Sequence, residues 1–154
     1  MRLYRLSKRQ YSAAVLTGNG GLESDGRWHS QGRRIVYCAS SEALAIIELR
    51  VHVLRFVPRV AFVMHEIELP DGEVGHLSAK ELPRFWNRLP HSKLTQAIGD
   101  TWLAKGRHLA LQVPSIHSAT DRNVLLNPAH ESFRHVRVVS RRAYRFDPRM
   151  FGPA

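Results

Sequence analysis

The sequence predicts an α+β fold, a single domain (residues 1–154) with mixed or antiparallel β-sheets and flanking helices. Three observations carry this expectation. Apolar runs of strand length occur singly between irregular segments, not in regular β-α-β units, which disfavours a doubly wound sheet. Two longer stretches, after Ser40-Ser41 and after Ser92, carry helix start and stop signals. The 154 residues show no composition break, and 44% hydrophobic with 23% charged residues is ordinary for a globular chain.

Taken in order, Tyr4–Leu6 predicts a short opening strand, and GNGGLESDG at Gly18–Gly26 predicts a surface loop of turn-forming residues. Ile35–Ala39 is a compact apolar run suited to a buried strand. Ser40 or Ser41 can cap a following helix, with Glu42 placed where the helix dipole favours an acid. That helix is expected to run to about Leu54, and Pro58 bars its continuation. Val60–Leu69 is β-rich, and its second half alternates. Glu81–Trp86 suggests a short helical piece, and Ser92–Lys105 a second helix stopped by Gly106. Leu109–Val113 predicts a strand ending at Pro114. Asn123–Leu126 predicts another, closed by the Asn127-Pro128 turn. His135–Ser140 predicts a last strand that Tyr144–Phe146 extends. There is no repeat and no low-complexity segment.

Composition narrows the function. No window approaches the ~18 consecutive apolar residues of a membrane span. The start, MRLYRLSKRQYS, has charge without an apolar run, so no secretory leader is expected. Cys38 is the only cysteine, which excludes an internal disulfide framework and a multi-cysteine zinc site and fits a reducing cytoplasm. Lysine and arginine number 23 against 13 aspartate and glutamate, a formal charge of +10 that suits a polyanionic partner. The basic residues are dispersed, and the aromatics, 8% of the chain, do not alternate with them as in a base-stacking platform. The nine histidines include no HExxH, GNGG lacks the lysine of a P-loop, and no GxSxG is present. Cys38, beside Tyr37 in a strand, reads as a small apolar packer.

Five places can carry chemistry, and none is decisive alone. Glu48 falls on the edge of the apolar stripe of Leu44, Ile47 and Val51, about 40° from Leu44 and about 60° from Val51. It is either a boundary residue paired with His52 or Arg55, or one end of a binding site. Arg27, after a glycine and before Trp28, offers a planar fork of donors for a carboxylate or pyrophosphate. Alone it reads as a surface arginine. Tyr37 either packs with its hydroxyl tied to backbone or offers its ring to a flat heterocycle. VPS at Val113–Ser115 sets a hydroxyl just past a strand end, and NVLLNPAH supplies an amide and His130 at another turn.

The order of these pieces is more specific than any one. YRL at Tyr4–Leu6, GRWHSQG, VYCASSEALAIIE, GDTWL at Gly99–Leu103, VPS and NVLLNP with His130 together resemble the RES domain family of bacterial toxin–antitoxin toxins. In the most specific block, Arg27, Tyr37 and Glu48 follow one another at ten and eleven residues. The resemblance implies an ADP-ribosyltransferase-like fold, with NAD as substrate and no metal. It implies cleavage of the nicotinamide–ribose bond with water or inorganic phosphate as acceptor (NAD glycohydrolase or phosphorylase). Some related members instead ADP-ribosylate a host nucleotide-synthesis enzyme of the phosphoribosyl pyrophosphate synthetase type. By that resemblance Glu48, Arg27 and Tyr37 form the catalytic set. Arg5, Arg27, Tyr37 and Ser115 would hold NAD, and Asn127 would shape the neighbouring loop. The implied partner is a helix-turn-helix antitoxin that covers the active site and alone contacts DNA. From the charge and the histidines, a basic RNA-binding or RNA-cleaving toxin stands as the rival of another class.

Overall fold

Seven strands hydrogen-bond into one mixed sheet in the order β4-β5-β6-β2-β1-β3-β7. They are β1 (Arg2–Lys8), β2 (Val36–Ala39), β3 (Phe62–Glu68), β4 (Val74–His76), β5 (Ala110–Pro114), β6 (Arg122–Leu126) and β7 (Arg137–Tyr144). Three helices accompany them: α1 (Gly20–Glu23), α2 (Glu42–Val53) and α3 (Lys93–Lys105). The computed structural model describes residues 1–53 and 58–151, with the side chains of His52 and Val53 outside that description. Among the described residues no helix is long and apolar enough to cross a membrane. The expected α+β class holds: every neighbouring pair is antiparallel except β4 with β5.

The sheet is uneven along its width. β1 pairs with β3 over seven residues and β2 with β6 over four, whereas β1 and β2 meet at the single pair Tyr4↔Ala39. This seam divides β4-β5-β6-β2 from β1-β3-β7. Because side chains alternate across a strand, Val36 and Cys38 join Leu3, Ile67, Val124 and Leu126 on one face. On the other face Leu44 and Ala45 of α2 pack on Leu6, Phe62 and Met64. Beside them Trp28 and Trp102 pack on Val113 and Leu125. Helix α2 therefore sits on the β1-β3 half, right against the seam.

Local chemistry explains the helix ends. The Ser41 hydroxyl accepts from the Leu44 N–H at 3.1 Å at the start of α2. Ser92 accepts from Leu94 N–H at 3.2 Å, and Gly106, at φ 57°, ends α3 in the left-handed region. Leu54, the expected end of α2, lies outside the described residues.

Three expectations change. Gly18–Gly26 is not only loop, since α1 forms within it and buries Gly21. The piece expected at Glu81–Trp86 is instead a 3₁₀ turn at Ala79–Glu81, set by a reciprocal Ser78–Glu81 capping box. Pro83 follows it, and Phe85 takes φ 65°, so no helix continues. The tail strand β7 does extend to Tyr144, but its bounds shift: His135 closes the 3₁₀ turn Glu131–His135, and Phe146 lies past the strand end.

Candidate functional site

Glu48 projects from α2 across the seam to the far half of the sheet. Its Oε1 accepts from the Ser115 hydroxyl at 3.1 Å and from the Asn123 amide at 2.6 Å. Ser115 follows the last residue of β5, and Asn123, the second residue of β6, stands opposite Val113 and Ala39. The turn from 115 to 121 thus puts both donors at one end of the sheet. Ser115 also accepts from the His117 N–H at 3.0 Å, and His117 Nε2 stands 3.8 Å from Glu48 Oε2. Of the helical partners weighed for Glu48, Arg55 and the His52 side chain lie outside the described residues. The partners seen are tertiary.

Arg27 is buried, 9% exposed. Its Nη1 donates to the Trp86 carbonyl and, at 3.1 Å, to the Arg88 carbonyl. The guanidinium also lies 5.9 Å from the Trp86 ring centroid, and Trp86 packs against Trp28. Burial lowers the arginine's pKa from its usual value, while the charge of Glu48 pulls it back up. Arg27 therefore shares the field of the Glu48 carboxylate and stays cationic.

Tyr37 shares its face of β2 with Ala39. Its hydroxyl accepts from the Trp28 N–H at 3.3 Å and pairs with His29 Nδ1 at 2.8 Å. His29 Nε2 lies 3.1 Å from the Ser24 carbonyl, which can only accept, so that nitrogen carries the proton and Nδ1 receives the tyrosine's. Burial raises the tyrosine pKa and lowers the histidine's, in keeping with two neutral rings. With its hydroxyl so engaged, Tyr37 has its ring to offer.

Helix α3 fixes the Arg27 loop. Gln96 donates to Asp25 at 2.7 Å and to the Gly26 carbonyl at 3.0 Å, and Asp100 accepts from Ser30 N–H at 3.0 Å. Gly99 packs so closely that a Cβ there would stand 1.8 Å from the Trp28 carbonyl oxygen. The GDTWL and GRW motifs are two sides of this contact.

The structure thus gathers Arg27, Tyr37, Glu48 and Ser115 around one end of the seam, and it separates Arg5 and Asn127 from them. Arg5 shares its β1 face with Leu3, the face opposite Tyr37, and its Nη1 donates to the Tyr37 backbone carbonyl. Its guanidinium supports β2 from beneath, with its pKa lowered by burial. Asn127 lies at the other end of β6 from Asn123, roughly 13 Å along the strand. It donates to the Leu103 carbonyl at 3.3 Å and accepts from Ala129 N–H at 3.0 Å, so it shapes the NP turn and stands apart from the Glu48 cluster. Two residues beside Glu48 were not singled out from sequence: Asn123 and His117. The first lies within NVLLNP, whose amide was noticed without its target. Among the described residues, no group of three or more His, Cys, Asp or Glu is placed to hold a metal ion.

A split mixed sheet with a carboxylate held across its seam, beside a buried arginine and a tyrosine ring, defines a small α+β protein with a cluster of polar side chains at the seam. The profile of the RES domain matches residues 2–147, and the chain belongs to that family. It is 36% identical over 151 residues to "Toxin Res" of Yersinia enterocolitica, covering 97% of this chain and 99% of that one. It is 34% identical over 149 residues to the "Prs ADP-ribosylating toxin" of a Sphingobium species, covering 95% and 92%. Its fold is similar to a chain in the crystal structure of the M. tuberculosis MbcT–MbcA toxin–antitoxin complex. The TM-score there is 0.75 at 17% identity, over 97% of this chain and 86% of that one.

Proposed function

We propose that this protein is the toxin of a toxin–antitoxin module and consumes NAD by breaking the nicotinamide–ribose bond. The observation that carries the reading is the Glu48 carboxylate, held by Ser115 and Asn123 across the seam within the field of buried Arg27. Membership of the RES domain family and relatives named as toxins support it.

In this scheme nicotinamide leaves as a neutral base from a cationic ring, and the ribose develops oxocarbenium character. A fixed carboxylate stabilises that positive charge without reorganising at the moment of reaction. Arg27 binds the pyrophosphate and contributes orientation. To do so its guanidinium exchanges the Trp86 and Arg88 carbonyls for phosphate oxygens. The Tyr37 ring borders the nicotinamide. NAD is substrate, and no metal enters the scheme. The net charge of +10 suits both an anionic dinucleotide and an acidic antitoxin segment closing the cleft. The fold's likeness to a toxin solved with its antitoxin supports such a partner, and the cytoplasm is where that pairing would operate.

Water or phosphate is the acceptor in the first reading. Transfer to a protein is the second, favoured by the relative named as an ADP-ribosylating toxin of Prs. Purified protein incubated with NAD, with and without phosphate, separates the acceptors by product. Labelled NAD in lysate reveals transfer as a single labelled band. NAD untouched under every condition, with no labelled protein, overturns both readings, and salt-sensitive RNA binding in its place would favour the RNA-directed rival.

A further inference from the structure

Helix α3 uses only one of its faces inside the fold. Thr95, Gln96, Gly99 and Trp102 are buried, and Gln96 and Gly99 among them meet the Arg27 loop. Leu94, Ala97, Ile98 and Thr101 recur at helical spacing on the far side of the helix. With Leu82 and Pro83 this stripe lines an open groove of about 620 Å³. Leu94 is 61% exposed. Phe85 and Leu89, on the segment that supplies the second wall, are 47% and 71% exposed. A single exposed leucine needs no account, whereas an apolar helix stripe that lines a groove marks an interaction surface.

The surroundings of the groove are basic. Lys80 and Arg84 flank the Leu82-Pro83 wall in the chain, and Lys93 and Lys105 stand at the two ends of α3. All four are exposed, and none makes an ion pair among the described residues. Glu81 also lines the groove, but its carboxylate is engaged by the Ser78 N–H at 2.7 Å in the capping box. A second copy of this chain would bring its own net charge of +10 to that rim and be repelled. The occupant that satisfies both floor and rim has an apolar stripe with acidic flanks. The 13 residues of α3 give the groove a wall about 20 Å long, and an amphipathic helix laid along such a wall is a recurrent mode of recognition.

We propose that the outer groove of α3 is a docking surface for an acidic amphipathic helix of a partner protein. Its two walls are the elements that hold Arg27. Helix α3 does so through Gln96 and Gly99, and the segment after Glu81 through the Trp86 and Arg88 carbonyls. The occupant therefore stands behind the Arg27 loop, on the side of α3 turned away from it.

The test measures binding to the unmodified chain by fluorescence anisotropy with three synthetic peptides of about eighteen residues, enough to span α3. One carries leucines at helical spacing with glutamates on its other faces. The second has the same residues in scrambled order, and the third has lysines in place of the glutamates. The first should bind at least about tenfold tighter than either of the others, since it alone matches both stripe and rim. Leu94→Asn should weaken it about tenfold by removing one leucine's apolar contact, while circular dichroism shows the fold intact. Lys93→Gln combined with Lys105→Gln should weaken it about threefold and reduce its salt dependence. Equal binding of the scrambled or the lysine peptide, unchanged affinity in folded Leu94→Asn, or binding by none of the three overturns the proposal. Self-association of the unmodified chain in sedimentation, abolished by Leu94→Asn, gives the groove to a second copy and overturns it as well.

Discussion

The Asn123 amide donates to Glu48 Oε1 at 2.6 Å, joining strand β6 to helix α2 across the weakest pairing in the sheet. A boundary glutamate on an amphipathic helix needs no such bond. Glu48→Gln keeps the shape and an acceptor oxygen for Ser115 and Asn123, so the fold should survive. NAD turnover should fall by about two orders of magnitude or more, the usual cost of one transition-state electrostatic group. Steady-state assays at matched thermal midpoints check this. Near-normal turnover returns Glu48 to a structural role.

Ser115 and Asn123 share one acceptor oxygen, so their contributions should be coupled. Asn123→Ala and Ser115→Ala are each expected to lower turnover and to reduce stability by about 1–2 kcal/mol, a bond to a charged group discounted for partial exposure. The double variant should lose less than the two losses added, by at least ~0.5 kcal/mol. Strict additivity in urea unfolding would place the two donors on independent sites.

Gly99→Ala should push α3 from the Arg27-Trp28 backbone. A Cβ 1.8 Å from the Trp28 carbonyl oxygen leaves no adjustment except a shift of the helix. A loss of about 1–3 kcal/mol is expected for overpacking, together with weaker NAD binding as Arg27 moves. Unchanged stability and affinity by calorimetry would show that the contact has slack.

The sequence's legibility follows from the range of each interaction. Strands β2, β3, β5 and β6 and helices α2 and α3 were readable because period, cap and stop residues act within a few positions. β4 was not, because Val74–His76 has three residues around a glycine and exists through parallel pairing with β5. The segment after Glu81 was misjudged because it meets Arg27 through backbone carbonyls, which carry no side-chain signature. In the site, composition alone left Arg27, Tyr37 and Glu48 ambiguous, and their ordered spacing carried them. Arg5 shows the limit: a motif names an arginine, but the pleat of β1 decides its face. Asn123 and His117 acquire meaning only from Glu48, 75 and 69 positions away in the chain.

Tyr37→Phe separates ring from hydroxyl. The ring stays, but His29 Nδ1 and the Trp28 N–H lose their partner. A stability loss of about 1–3 kcal/mol is expected for stranding buried polar groups. Turnover per folded molecule should stay within about fivefold, against a far larger fall for Tyr37→Ala, since the ring supplies most of the contact area. A collapse of kcat in Tyr37→Phe with unchanged stability would assign the hydroxyl to the chemistry instead.

The protein should weaken as pH falls through the histidine range. His65 is fully buried, with Nδ1 donating to the Arg5 carbonyl at 3.1 Å and Nε2 accepting from Ser12 at 2.8 Å. His29 is likewise enclosed. Burial holds both imidazoles below their usual range. Between the unfolded value, about 6.5, and the depressed folded values, the unfolded chain binds more protons, so stability rises with pH there. Their contribution is complete above about pH 7 and is lost as pH drops below about 6.5 toward the folded pKa values. Urea midpoints at pH 7.5 and pH 5 should therefore separate, and His65→Gln should be less stable at pH 7.5 but show a shallower fall. Parallel falls in both proteins would remove His65 as a source of the slope.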